Sequence, residues 1–342
     1  MPIRRPAFAT PHQLFSRCTR VSLCALLAAI AGPAPAAPAP SEVASFPGRP
    51  MRIVVGFSAG SVVDISARIV GQKLFEKWQQ QVIVDNRPSA GGIIAAQLAA
   101  GAIADGYTLL SVSASHAVAP AIYAKLPYDT IKDFAGITTT VSSPALLVVS
   151  PSLGPRSVKE LIAMAKAKPG QLNFSSGGIG SATQFSAELF KSLAAIDVQH
   201  VPYKGIPEAL GETITGRVQF TLSPFAVALP MVKEGKVIAL AVSTAKRSAV
   251  LPDLPTIAEA GVPGYRWETW FGLLAPAQTP RPIINKLNAE ITRILDLPDV
   301  RARWLSLGTE PIPSTPQAFD KLVADDIAAL TKLARTANVQ PN

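Results

Sequence analysis

Met51-Arg-Ile-Val-Val-Gly-Phe-Ser-Ala-Gly-Ser61 runs from an apolar strand through a glycine-bearing turn to the threshold of a helix. The helix follows at once, over Val62 to Trp78, with Ile65, Ile69, Leu74 and Trp78 at roughly helical spacing. Gln81-Val-Ile-Val-Asp85 is the next strand, Gly92 to Ala102 a second helix and Tyr107 to Val112 a third strand. Parallel strands need helical crossovers, so this β-α-β-α-β order predicts a parallel, doubly wound sheet.

The pattern then restarts. Ala145 to Ser150 reads as a strand, and Ser157-Val-Lys-Glu160 is a capping box that opens a helix ending near Lys168-Pro-Gly170. Strands are expected at Leu172–Ser175, Val198–Val201, Gln219–Leu222 and Val237–Val242. Helices are expected between them at Ala182–Leu193, Pro207–Thr215 and Phe225–Glu234. After Phe271-Gly-Leu-Leu-Ala275 the chain turns helical over Arg281–Leu295, Asp299–Leu307 and Pro316–Thr336. A helical tail without strands of its own must pack back on the first sheet. The chain then crosses between two α/β units near residues 140 and 270, which predicts a double-crossover hinge with a cleft between the units. The expected division is residues 45–142 plus 271–342 for one domain and 143–270 for the other.

Four arginines (Arg4, Arg5, Arg17, Arg20) and no acid precede the apolar run Val21 to Ala31, and Ala34-Pro-Ala36 fits a small-residue cleavage site. This is the pattern of a secretory signal peptide over residues 1–36, the run being shorter than the roughly 20 residues of a membrane span. Export to a bacterial periplasm is the simplest expectation. Cys18 and Cys24 leave with that peptide, so the mature chain has no thiol for disulfides, catalysis or metal binding. The formal charge falls from +9 to +5 with the four arginines. The remaining basic residues are scattered and not interleaved with aromatics, which argues against a nucleic-acid surface.

Two loops carry the candidate chemistry, one in each unit. Gly56-Phe-Ser-Ala-Gly-Ser61 and Ser175-Ser-Gly-Gly-Ile-Gly-Ser181 each join a strand to a helix, and each ends in a capping box, Ser61-Val-Val-Asp64 and Ser181-Ala-Thr-Gln184. A helix N-terminus offers unpaired N–H groups and the positive end of a dipole. Two such loops across a cleft suit a small dianion; taken singly, each is also a well-capped turn. Gly56-Phe-Ser58-Ala-Gly60 also matches a serine-hydrolase nucleophile elbow. The elbow needs earlier strands and an oxyanion loop, whereas here it follows the first strand, and beyond the leader only His116 and His200 are available as a base. His200 sits within a strand pattern; His116 follows Ser111-Val-Ser-Ala-Ser115 at a strand end, where it can meet a ligand. No histidine pair has metal spacing, the glycines around Gly177 fit neither phosphate-loop pattern, and no catalytic residue, metal or cofactor is expected.

The chain resembles the Bug family, the periplasmic solute receptors of tripartite tricarboxylate transporters. Matching segments run through its length: Pro50 to Gly60 with Asp64, Asp85-Asn-Arg-Pro-Ser-Ala-Gly-Gly92, Asp105-Gly-Tyr-Thr-Leu-Leu110, Leu126-Pro-Tyr-Asp129 and Lys132-Asp-Phe134. His200-Val-Pro-Tyr-Lys-Gly205, Ala245-Lys-Arg-Ser248, Pro255 to Gly261 and Trp270-Phe-Gly-Leu-Leu-Ala-Pro276 continue the match. The resemblance implies a type II periplasmic binding protein fold, with two doubly wound domains closing on a small carboxylate. It implies a monomer that serves membrane permease subunits, or a sensor kinase, and does not bind nucleic acid. By the same resemblance, the first-loop residues Phe57, Ala59, Gly60 and Ser61, with Asp64, hold one carboxylate. Ser113, Ser115 and His116 line the same side. Ser176, Gly177, Gly180, Ser181 and Thr183 form the opposite wall, with Tyr203, Lys204 and Ser223 nearby. Lys204 reads equally as a charge for the ligand or as a solvated turn residue, and Tyr203 as a cleft-wall phenol. The family's usual Pro-Ala-Gly-Gly is here Ser58-Ala-Gly-Ser61, and its frequent aspartate after the second-domain strand is absent from Leu222-Ser223-Pro224. The second departure favours a plain carboxylate over an amino acid.

Overall fold

The computed structural model describes Met1 and residues 40–336. The export signal expected over residues 1–36, both cysteines included, lies outside the described residues apart from Met1. In chain order the elements are α1 (Pro40–Ser45), β1 (Met51–Val55), α2 (Val62–Trp78), β2 (Val82–Asn86), α3 (Ile93–Ala100), β3 (Thr108–Ser113), α4 (Ser115–Ile122) and β4 (Phe134–Val149). Next come α5 (Val158–Ala167), β5 (Asn173–Ser176), α6 (Ala182–Ala194), β6 (Gln199–Pro202), α7 (Ile206–Ile214), β7 (Phe220–Pro224), α8 (Phe225–Lys233) and β8 (Ile238–Val242). The chain closes with β9 (Glu268–Pro276), α9 (Arg281–Leu295), α10 (Pro298–Ser306), β10 (Glu310–Pro311) and α11 (Pro316–Thr336).

The strands run in the order β2-β1-β3-β9-β4-β7-β5-β6, with β8 and β10 also pairing with β4. Pairing is parallel where helical crossovers connect the strands: β1 with β2 and β3, and β5 with β6 and β7. It is antiparallel at β4 and β9, the two strands that join the parallel groups. β4 is 16 residues long; Phe134 to Pro144 pair with β9, Ala145 to Val149 pair with β7 on one side, and Leu146 to Val149 pair with β8 on the other. Its register against β9 shifts twice, between Gly136 and Thr138 and between Thr139 and Ser142, as a strand does where it bends. Sequence reading finds only the second half of this strand. The first half, Phe134 to Ser143, carries a run of threonines and serines that is buried nonetheless, because Ser66, Ser314 and the Ile312 carbonyl take up the Thr140, Thr138 and Thr139 hydroxyls.

Side-chain alternation divides the core. Ile53 and Val55 point to a cluster built with α2 and α9, while Val54 joins a cluster built with α3, α4 and α11. In the other group Leu147 and Val149 face α5 and α6, while Leu146 and Val148 face α7 and α8. The helical tail lies against the first group: Ile284, Leu287, Ile291 and Trp304 pack with α2, and Phe319, Val323 and Leu330 with α4. The architecture is one mixed α/β sheet with helices packed on both faces. Sequence reading misses α4, whose Ser-His-Ala-Val-Ala-Pro composition is too short and small to show a periodic face.

Candidate functional site

Helices that follow strands start at the strands' carboxyl ends, and here five of them start around one cleft. Its wall contains Ser61, Val62 and Val63 of the α2 start, Ser115 of α4, Ser181, Ala182 and Thr183 of α6, Ile206 of α7 and Pro224, which caps α8. Phe57, Ser113, Gly177, Thr269 and Phe271 complete it, enclosing about 410 Å³ with the open mouth included. None of these lining residues carries a charge.

The two glycine loops have the same local build. In each, a glycine at positive φ (Gly60, +81°; Gly180, +75°) precedes a serine N-cap in extended conformation. The serine N–H bonds back three residues, Ser61 to the Ser58 carbonyl and Ser181 to that of Gly178, as in a type II turn, where position three needs glycine. The serine hydroxyls accept from the Asp64 and Gln184 N–H groups. In return the Asp64 carboxylate and the Gln184 amide oxygen accept from the N–H of Gly60 (2.9 Å) and Gly180 (2.8 Å). The caps fix the loops and use up the third helical N–H; this leaves the N–H groups of Val62 and Val63 in α2 for a ligand and, because the Ala182 N–H is held by Ser115, that of Thr183 in α6.

Asp64 is buried behind the first loop. Burial pushes its carboxyl up, but Arg68, the Gly60 N–H and Asn86 outweigh that and hold it below the usual carboxylate range. Asn86, at the end of β2, donates both to Asp64 and to the Phe57 carbonyl, so the neighbouring strand pins the loop. Across the cleft, the Ala182 N–H donates to the Ser115 hydroxyl (2.9 Å), which also accepts from Ser113 (3.0 Å). Thr183 accepts from the Gly177 N–H and contacts the Ser181 hydroxyl.

Seven of the sequence-derived candidates therefore line one cleft: Phe57, Ser61, Ser113, Ser115, Gly177, Ser181 and Thr183. Ala59, Gly60 and Gly180 shape the turns, with Ala59 and Gly60 exposed. Ser176 is fully buried and meets His200 Nε2 at 2.6 Å, beneath the glycine loop. Ser223 is fully buried on β7. Tyr203 and the exposed Lys204 line a separate, open pocket with Ala90, Ile179 and Glu208. His116 faces a small cavity that shares Phe57 and Ser113 with the cleft. Among the described residues no hydrogen bond joins Ser58 to either histidine. Sequence reading misses Val62, Val63 and Ala182, although they directly follow the helix caps that the motifs mark, and Ile206 and Pro224, at helix starts that no capping box marks. Thr269 and Phe271, from β9, leave no such signal.

Residues 66–339 match the TctC family, described as tripartite tricarboxylate transporter family receptor. Over 291 residues the chain is 33% identical to Protein BugT of Bordetella pertussis, covering 84% of this chain and 89% of BugT. Among solved structures it resembles R. palustris Rpa4515 with adipate at a TM-score of 0.84 and 35% identity, over 87% of this chain and 100% of that one. It also resembles MatC from Rhodopseudomonas palustris with bound malate, at a TM-score of 0.80 and 33% identity, over 84% and 99% of the two chains. The chain belongs to this receptor family, the Bug-type periplasmic solute-binding proteins of tripartite tricarboxylate transporters.

Proposed function

We propose that the protein closes its cleft on a small carboxylate and hands it to the membrane subunits of a tripartite transporter. The observation that carries this reading is the meeting of five helix N-termini at a cleft whose lining has no charged side chain. Such an end stabilises an anion by about 0.3–1 kcal/mol at a surface and up to ~2 kcal/mol when partly buried, and a neutral solute gains little from it. The bound adipate and malate of the similar structures support a carboxylate as the guest. On this reading residues 45–142 with 271–342 form one lobe and 143–270 the other, β4 and β9 are the hinge strands, and the receptor works as a monomer. Ser61, Ser181, Thr183 and the N–H groups of Val62, Val63 and Thr183 hold the ligand. Ser113 and Ser115 fix the opposite wall.

Calorimetric titration and thermal unfolding of the mature protein against mono-, di- and tricarboxylates and amino acids test the binding. A ligand at a hundred times its Kd raises the unfolding free energy by about 2.7 kcal/mol. If no carboxylate of any class raises it, the reading fails. Delivery is tested in cells: deleting the gene abolishes uptake of the acid that binds, whereas unchanged uptake with a lost transcriptional response points to a sensor kinase as the partner. A fluorophosphonate probe should leave Ser58 unlabelled; labelling that disappears in Ser58→Ala would instead identify a hydrolase.

A further inference from the structure

Beside the main cleft lies a second, narrow cavity with free room for about one hydroxyl- or water-sized group, whose lining includes Phe57, Gly91, Gly92, Val112, Ser113 and His116. Phe57 and Ser113 stand in the walls of both spaces, so the two are neighbours. His116 is 4% exposed. Its ring stacks on Tyr128 (centroids 6.0 Å, planes 8° apart) and meets the edge of Phe134 (4.9 Å, 87°), which fixes its orientation. The ring donates one hydrogen bond to the Thr130 backbone, while Nε2 has no partner in the protein. With the proton on Nδ1, the neutral imidazole presents a lone pair at Nε2, which can only accept. A buried acceptor left unmatched has lost its water without a replacement, so this nitrogen rewards any donor brought to it.

We propose that the two spaces form one ligand site, in which the carboxylate lies at the helix N-termini and a hydroxyl of the same molecule donates to His116 Nε2. The ligand class is therefore a hydroxycarboxylate. This deepens the carboxylate-receptor reading and rests on it. An ammonium would also donate, but its charge needs a carboxylate partner. No acidic residue lines either space, and the nearby Asp64 carboxylate is already taken by Gly60, Arg68 and Asn86.

Calorimetry with acids that differ by one hydroxyl tests this: malate against succinate, lactate against propionate, 3-hydroxybutyrate against butyrate. For at least one pair the hydroxylated acid should bind about tenfold more tightly or better, which is about 1.4 kcal/mol and within the range for one hydrogen bond. In His116→Phe, which keeps a ring against Tyr128 and Phe134, that ratio should fall to within about twofold. In a spectrum of wild-type protein carrying [15N]histidine, the His116 Nε2 resonance should move with the hydroxylated acid and not with its partner. This second readout needs no variant to fold. Equal binding of every pair by the wild type overturns the inference and leaves the carboxylate reading standing. A ratio that survives in His116→Phe, or an Nε2 resonance that moves equally with both acids, overturns it as well. Failure of all carboxylates to bind the wild type removes both readings together.

Discussion

Asp64 shows how a buried charge can serve an anion site without touching the anion. Its carboxylate takes the Gly60 N–H, two guanidinium bonds from Arg68 and the Asn86 amide, so the negative charge is neutralised behind the loop instead of facing the cleft. Removing it leaves the Gly60 N–H without its partner and takes one partner from each of Asn86 and Arg68. Asp64→Ala should therefore lower stability by about 2–3 kcal/mol, the scale for hydrogen bonds to a charged group, as read from urea unfolding. Carboxylate affinity should fall with it because the first loop is no longer held. Asp64→Asn keeps an acceptor for Gly60 and should cost less. Equal losses in the two variants would mean that charge, and not the Gly60 bond, is what the loop needs.

Among the elements, the contacts that matter are those made by loops on opposite sides of the cleft. Ser115 at the start of α4 receives the first N–H of α6, and Gly205, which caps α7, lies against Ser58 of the first turn. A Cβ on Gly205 would sit 2.8 Å from the Ser58 Cβ and 2.9 Å from both Ser58 Oγ and Glu208 Oε2. Its φ of −174° is ordinary extended backbone, so alanine there strains contact and not conformation. Overpacking of this kind costs about 1–3 kcal/mol. Glu208, on α7 itself, can swing its flexible end aside, so in a receptor that opens the remaining cost, against Ser58, falls on the closed state. Gly205→Ala should weaken carboxylate binding by roughly tenfold or more in calorimetry, while the melting temperature of the free protein barely moves. Unchanged affinity would show that these two loops do not meet in the bound state.

For the molecule as a whole, the two buried histidines are groups whose titration folding moves from near neutrality to well below it. Burial pushes both down to about 4; for His200 the nearby Lys191 charge adds to the effect. In the unfolded chain a histidine titrates near its ordinary value of about 6.5, so unfolding takes up protons between those limits. The stabilising contribution is fully present above pH ~6.5 and is lost as pH falls toward ~4, at up to roughly 2–3 kcal/mol per pH unit near pH 5 for the two residues together. Urea midpoints measured between pH 4 and 7 should fall steadily on acidification. The double variant His116→Phe/His200→Phe should flatten that slope, and an unchanged slope would assign it to carboxylates. Such acid sensitivity leaves the receptor at full stability around neutral pH.

Most strands, the capped helices and the two glycine loops were legible in the order of residues alone. Each of these is written within a few residues: apolar runs, Ser-x-x-Asp and Ser-x-x-Gln boxes, glycine where φ must be positive. Even α4 and the polar first half of β4 escaped for a local reason, since neither has an apolar period. Which of these ends meet is set by the folded core. The sheet order carries the starts of α2, α4, α6, α7 and α8 to one cleft, inserts Thr269 and Phe271 from β9, and sets His116 against Phe57 and Gly92 in the space beside it. Tyr203 and Lys204 lie close to the glycine loop in the same register, yet they open into a different pocket. Hydrogen-bonded turns depend on neighbours in sequence. A binding site depends on the packing of strands from distant parts of the chain, and that is settled by the whole core.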